Sequence, residues 1–368
     1  MRKIVLIIGN GYDIDLGRKT SYKNFWESSF CPKDYPAPLI AHLNDKWKDD
    51  LDAVKWYDLE NELFNYAQKI QQKSSKNYDI ITPEEAKFIH ILNPECLVRG
   101  YYSNYEEQIQ TLHKKGLLFF NDGGFNAYMD IPYLSELKES VIWRDQKAFK
   151  LIKSGLNKYL QSIKHENIRN GSLAFAVSNM INEHTGSDQE LKIYNFNYTE
   201  LPFDPNEGNS VHYVHGDNEQ ENIIIGTRDH ELLDESYDFL QKSFDPDFNP
   251  PAVVYDLLEA DEVLIFGHSL GWNDNQYFRS FFMQRTSHEK PIKKTITIFT
   301  RDDRSEIEIK RALQIMTDYN LSALYAMNEL RIIKSSDIGK RAGNLKELLM
   351  RYIKDEAQTR RYISKLIY

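Results

Sequence analysis

The chain has 368 residues, 41% of them hydrophobic and 27% charged, enough apolar material for one large globular domain or two. A formal charge of −9 argues against a general nucleic-acid surface, because phosphate binding draws its affinity from Lys and Arg. Two cysteines, Cys31 and Cys96, exclude a disulfide framework, and neither sits in a C-x-x-C pattern, which fits a reducing cytoplasm.

Ile4 to Ile8 is a continuous apolar, β-branched run closed by Gly9-Asn10-Gly11, the pattern of a strand buried on both faces of a parallel sheet. The run is too short for a secretory signal or a membrane span, and no later stretch reaches that length, so the reading is a soluble, cytoplasmic protein. From about Tyr22 to Glu183 aromatic and charged residues recur at helical spacing, as from Trp56 and again from Phe149. The Gly-rich aromatic patch Phe119 to Tyr133 reads as a loop within that helical text. Strands resume at Leu191–Phe196, Val211–Val214, Asn222–Ile225, Glu262–Phe266, Thr295–Phe299 and Leu330–Ile333, with helical text at Pro251–Ala260 and Arg304–Tyr319 between several of them. The alternation predicts an α/β fold, a doubly wound parallel sheet with a large helical insertion after the first strand. The core covers 1–21 and 186–335, the insertion 22–185, and C-terminal helices 336–368. From Lys334 onward nine basic residues face four acidic ones, a run that reads as a solvated helix face.

Ligands of such folds bind beyond the carboxyl ends of the strands, so four strand exits carry the candidate site. In Gly9-Asn10-Gly11-Tyr12-Asp13 the glycines let backbone N–H groups approach an anionic group, and Asp13 is suited to a sugar hydroxyl. It is not a full dinucleotide fingerprint, since the third glycine of G-x-G-x-x-G would fall on Ile14. In Asn195-Phe196-Asn197-Tyr198-Thr199 one asparagine faces the pocket and the other ends the strand. Period two puts His212 and His215 on opposite faces, leaving His212 a structural or surface residue and His215, before Gly216, the acid-base candidate. Gly267-His268-Ser269-Leu270-Gly271 matches the nucleophile-elbow pattern G-x-S-x-G. An elbow hydrolase needs its acid and its histidine after the serine, and only His288 follows, with no strand between them. The turn reads instead as a phosphate or ribose holder through Gly267 and Ser269, with Asn273 and Asp274 capping the next helix.

G-N-G-Y-D at Gly9, T-S-Y from Thr20, W-x-D-x-E from Trp56 to Glu60, N-F-N-Y-T from Asn195, V-H-Y-V-H-G ending at Gly216, and G-H-S-L-G-x-x-D from Gly267 to Asp274 stand in this order. Together they resemble the AbiH family of bacterial phage abortive-infection proteins over nearly the whole chain. That family is distantly similar to sirtuin-like domains, which bind NAD on a Rossmann-like sheet. The similarity sets Gly9, Asn10 and Gly11 where sirtuins have Gly-Ala-Gly, and Asn197 on the Asn of their Thr-Gln-Asn-Ile-Asp. It sets His215 and Gly216 on their catalytic His-Gly, and Gly267, His268 and Ser269 on their Gly-Thr-Ser. Thr20, Ser21 and Asp274 complete the nucleotide-binding set that it implies. Thr199 stands where sirtuins carry the Asp of that motif, and no four-cysteine zinc site exists. The resemblance therefore implies NAD hydrolysis, as in bacterial sirtuin-like defence domains, more than protein deacylation, and no metal.

On this reading the chain is a phage-defence effector that hydrolyses NAD at the nicotinamide–ribose bond. His215 acts as base toward a ribose hydroxyl or the incoming water, and Asn197 orients that water and the sugar. Asp13, or Glu60 from the inserted helices, supplies negative potential beside the oxocarbenium-like centre. Glu60 also has a plainer reading, in which Trp56, Leu59 and Leu63 pack a helix face and the carboxylates face water. Two alternatives stay open: a sensor that binds NAD or an ADP-ribose-like nucleotide without cleaving it, and a metal-dependent nuclease using His212, His215 and Asp229. The partners expected are a small nucleotide and a phage-derived trigger, with a homo-oligomer left open and no membrane.

Overall fold

The computed structural model describes residues 1–47, 58–74, 119–121, 124–128, 131–164, 168–169, 172–184, 189–229, 235–287 and 293–337. Expectations for Trp56, Cys96, His288 and the helices beyond residue 337 lie outside the described residues. In chain order the strands are β1 (Arg2–Ile8), β2 (Phe119–Asn121), β3 (Gly124–Tyr128), β4 (Gln189–Asn195), β5 (Ser210–Tyr213), β6 (Glu262–Phe266), β7 (Thr295–Thr300) and β8 (Glu329–Lys334). The helices are α1 (Asn10–Asp15), α2 (Tyr22–Glu27), α3 (Pro38–Trp47), α4 (Leu59–Ser74), α5 (Ile131–Ile163), α6 (Leu173–His184), α7 (Val253–Glu259), α8 (Asn275–Gln284), α9 (Asp303–Met316) and α10 (Leu321–Met327). Among them none is long and apolar enough to cross a membrane.

The chain divides into two compact units, one of Met1–Ser21, Leu160–Ile224 and Asp247–Tyr368, the other of Tyr22–Tyr159 and Ile225–Pro246. The first unit is built on a six-stranded sheet in the order β5-β4-β1-β6-β7-β8, with every pair parallel. Counted along the chain, that order is 3-2-1-4-5-6. The chain runs outward from β1 on one side and then returns to start again at β6 on the other, so β1 and β6 flank the point where the winding reverses.

Strand periodicity explains the two covering layers. Ile4, Leu6 and Ile8 point to one face, against Tyr12 and Leu16 of the α1 segment and Val177, Met180 and Ile181 of α6. Val5 and Ile7 point to the other, against Leu257 of α7, Phe278, Phe281 and Phe282 of α8 and Leu313 of α9. A central parallel strand covered on both sides loses its polar alternation, which is why residues 4 to 8 are all apolar. Asp302 starts α9 as an N-cap, its carboxylate accepting from Ser305 N–H at 2.9 Å.

Two sequence expectations are corrected. Asn222–Ile225 is not a strand: Ile223, Ile224 and Ile225 are buried, yet the segment is tied to the strand exits by isolated bonds, among them Ile224 N–H to His215 O at 2.8 Å and the Tyr198 hydroxyl to Ile224 O at 3.1 Å. The apolar run reports burial, and burial in an irregular segment needs no ladder. The described residues of Phe119–Tyr133 are not a loop: Phe119–Asn121 and Gly124–Tyr128 are β2 and β3, which pair antiparallel, and α5 begins at Ile131. Its aromatics have high strand propensity.

The second unit contains α2, α3, α4 and most of α5, and it is held by a buried carboxylate. Asp145 accepts hydrogen bonds from Leu39 N–H at 2.9 Å, from the Tyr237 hydroxyl at 3.0 Å and from the Tyr66 hydroxyl. Burial pushes its carboxyl up to about 6, against those three donors. Glu60, in the first turn of α4, is buried and lies 3.1 Å from Nζ of the buried Lys242. Leu59 and Leu63 pack inward as helical periodicity predicts, whereas Glu60 does not face water as its plainer reading had it.

Candidate functional site

Register brings the strand exits of the first unit together. Ile8 pairs with Asn195 on one side and with Phe266 on the other, and Asn195 pairs with Tyr213. Four neighbouring strands therefore end at nearly one level, and the segments beginning at Gly9, Phe196, Val214 and Gly267 emerge side by side.

The two glycine turns pack backbone on backbone. Gly9 N–H donates to Phe266 O at 2.9 Å and Gly11 N–H to Gly267 O at 2.8 Å. A Cβ on Gly11 would lie 2.7 Å from Gly267 Cα, and one on Gly267 would lie 2.2 Å from Tyr12 N. Gly267 also has φ +65°, a left-handed conformation that L side chains adopt at a cost. These glycines are thus explained by close approach between turns, and the N–H groups of Gly9 and Gly11 are already engaged by protein carbonyls. Asn10 accepts from the Thr20 hydroxyl at 2.6 Å, which ties the Thr20-Ser21 segment to the first turn.

The two asparagines have different partners. Asn195 closes its own turn, accepting from Asn197 N–H at 2.9 Å and donating to Thr199 O at 2.8 Å. Asn197 Nδ2 donates to Gly9 O at 3.1 Å, fastening the β4 exit to the β1 exit. Asp13 is 1% exposed. It accepts from the Thr199 hydroxyl at 2.5 Å, and Arg18 Nη1 lies 3.0 Å from its other oxygen. Burial pushes the Asp13 carboxyl above its ordinary range, while the Arg18 charge and the hydroxyls of Thr199 and Thr20 pull it down.

The histidines meet at Asp274. His215 Nε2 is 3.0 Å from Asp274 Oδ1, and His268 Nε2 is 3.3 Å from Oδ2. Leu270 N–H donates to His268 Nδ1 at 2.9 Å, so in the neutral ring the His268 proton sits on Nε2, facing the carboxylate. A carboxylate accepts, so His215 likewise carries its proton on Nε2 and its lone pair on Nδ1. His215 and His268 are 3% and 5% exposed, and Nδ1 of His215 is buried. The Phe196 ring packs edge-on against both, 5.4 Å from His215 and 4.5 Å from His268. Asp274 opens α8 by position but makes no side-chain cap bond, which corrects the reading of it as a helix cap: the carboxylate is spent on the histidines. Ser269 is exposed, while Gly216 follows His215 with φ +71°.

His212 stacks on Tyr194 with ring centroids 5.2 Å apart, and its Nε2 is 3.0 Å from Ser210 Oγ. Asp229 belongs to the second unit, where it accepts from the Ser243 hydroxyl. No group of three His, Cys, Asp or Glu side chains suited to a metal occurs among the described residues. Glu60 belongs to the second unit, and the first unit gathers Asp13, Asn197, His215, His268 and Asp274 without it.

Sequence reasoning missed Arg18, Phe196 and Asn218 as members of this neighbourhood. Arg18 lies beyond the end of α1, so no helical spacing links it to Asp13. Only the fold shows Asn218 in the company of Thr199: both residues line a cleft with Arg18 and Leu201.

Comparison with curated proteins and with solved structures finds no match for this chain. A family model described as bacteriophage abortive infection AbiH matches residues 5–296, a span that contains all four strand exits, and the chain belongs to that family.

Proposed function

We propose that the first unit is a Rossmann-like, sirtuin-like nucleotide-binding core that cleaves NAD at the nicotinamide–ribose bond, the act by which this abortive-infection protein would halt an infected cell. The observation that carries the reading is the Asp274–His215 pair at the carboxyl edge of a 3-2-1-4-5-6 sheet, the strand order of dinucleotide-binding folds, with Asn197 and Asp13 on neighbouring strand exits.

The chemistry asks for little acid. The bond between C1′ and the pyridinium nitrogen breaks with its electron pair going to nicotinamide, which leaves neutral, and positive charge builds on the sugar. Water then adds to C1′ and gives up a proton. His215 takes that proton on Nδ1, and the Asp274 carboxylate stabilises the imidazolium that forms. Asp274 also supplies the negative potential, because the charge of Asp13 is offset locally by Arg18 at 3.0 Å. Asn197 orients the sugar and the water from the turn it holds to Gly9. The NAD phosphates would be met by side chains and turn backbone other than the engaged N–H groups of Gly9 and Gly11. Purified protein incubated with NAD should release nicotinamide, and His215→Ala should abolish that release. Wild type inert under every activating condition, or His215→Ala fully active, would reject the assignment.

One observation favours a second reading. His215 Nδ1 is buried, so turnover requires the site to open, and a protein that only binds the nucleotide would need no opening. Calorimetry that shows NAD or ADP-ribose binding without product would select that sensor role.

A further inference from the structure

Beside Asp13 and Thr199 the first unit carries a cleft whose apolar wall is Leu160, Ile163 and Leu201 and whose polar wall includes Arg18, Lys164 and Asn218. Its two cations are already committed. Arg18 Nη1 is shared between Asp13 Oδ1 at 3.0 Å and Glu200 O at 2.7 Å, and Lys164 pairs with Glu219 and, at 3.4 Å, with Glu200. With carboxylates balancing both, the cleft offers no surplus positive charge to a phosphate.

Asn218 is different. It is 2% exposed, its backbone N–H donates to Tyr198 O at 2.9 Å and its backbone carbonyl accepts from Gln161 at 3.3 Å. Its side-chain Oδ1 is buried and without a hydrogen-bond partner, and no bond of its Nδ2 to a described residue exists. A buried amide oxygen left without a donor is destabilising, so it is a group for which a partner from outside the chain is the natural explanation.

We propose that this cleft is a binding subsite for a planar heterocycle with an adjacent N–H donor and acceptor, the ring lying on Leu160, Ile163 and Leu201 and its amide-like edge pairing with the Asn218 amide. An amide offers one acceptor and two donors in a plane, so once the Asn218 side chain turns its buried Oδ1 toward the cleft it matches a nucleobase edge or a ring carboxamide with two parallel hydrogen bonds. The inference rests on reading this sheet edge as a nucleotide site and says where one ring of the nucleotide goes. Both ends of NAD carry that chemistry, so the test must separate them.

Nicotinamide and adenosine are titrated separately into the full-length chain and followed by saturation-transfer NMR. The expected result is that one of them binds, and that Asn218→Leu weakens it at least about tenfold, the loss of roughly 1.4 kcal/mol. The same variant should melt no lower than wild type, because an apolar side chain of similar size removes the unpaired amide. Leu201→Trp, a change at a half-buried position, should block the same fragment by filling the cleft and provides the test if Asn218→Leu fails to fold. Absence of binding by both fragments at millimolar concentration, or undiminished binding by the variants, would overturn the subsite. NAD cleavage with an unchanged KM in Asn218→Leu would overturn this inference alone, whereas Asn218-dependent fragment binding in a protein inert toward NAD would support it and overturn only the hydrolase reading.

Discussion

Asp274 receives two imidazole Nε2 atoms on its two oxygens, and that arrangement makes a sharp demand on its chemistry. A carboxylate accepts on both sides, whereas an asparagine accepts on one and donates on the other. Asp274→Asn therefore forces one ring into the other tautomer or leaves a buried N–H unpaired. Since Leu270 N–H pins His268, the ring that turns over is His215. We expect nicotinamide release by Asp274→Asn to fall about 10²–10⁴-fold, the usual contribution of a positioned acid-base group, with circular dichroism still showing a folded protein. Asp274→Glu restoring part of the rate would show that the charge and its two acceptors matter. The residue was visible in the sequence as the last letter of G-H-S-L-G-x-x-D, but its partner was not: a helix-opening aspartate reads as a cap until the fold brings His215 to it from another strand.

At the scale of elements, the sheet is set by contacts of two strengths. The exits of β1 and β6 touch backbone to backbone, and Gly267 is both in left-handed conformation and 2.2 Å from Tyr12 N for any added Cβ. Gly267→Ala should therefore cost more than about 3 kcal/mol, combining backbone strain with a clash that nothing flexible can relieve. The α9 cap is a local device by comparison. Asp302 is held down to about 2 mainly by the Ser305 N–H and hydroxyl, and Asp302→Ala should cost about 1 kcal/mol. Urea unfolding of the two variants checks the contrast; equal losses would mean that the glycine turns are not packed as described. The strands were legible to within a residue or two because apolar runs and strand ends share a cause. The hairpin β2–β3 and the irregular segment Asn222–Ile225 were misread because propensity and burial do not by themselves say which backbone pairs with which.

At the scale of the whole molecule, stability depends on pH through Asp145. Its carboxyl is pushed up to about 6 by burial, above its ordinary 3.8, so the folded chain binds the proton more tightly than the unfolded chain. Its stabilising contribution is complete below about pH 4 and is lost as pH rises through 6, by an amount up to about 3 kcal/mol. Asp145→Asn should flatten that part of the curve, leaving a variant whose unfolding midpoint changes less than wild type between pH 5 and 8. A parallel pH dependence in the two proteins would remove Asp145 from the account. Neither Asp145 nor its partners Tyr66, Tyr237 and Leu39 could be picked out beforehand, since they come from four distant places in the chain.

The sequence by itself determined that the chain is α/β, that its first strand is buried on both faces, and that glycine, asparagine and histidine stand at strand exits, because hydrophobic period and turn chemistry are local. It also carried the family, through short motifs in a set order. Tertiary structure alone decided the strand order, the union of His215, His268 and Asp274, the spending of the Gly9 and Gly11 N–H groups on protein carbonyls, and the pairing of Glu60 with Lys242. Each of these is a contact between residues far apart along the chain, and no local pattern encodes which distant groups burial will place within hydrogen-bonding reach.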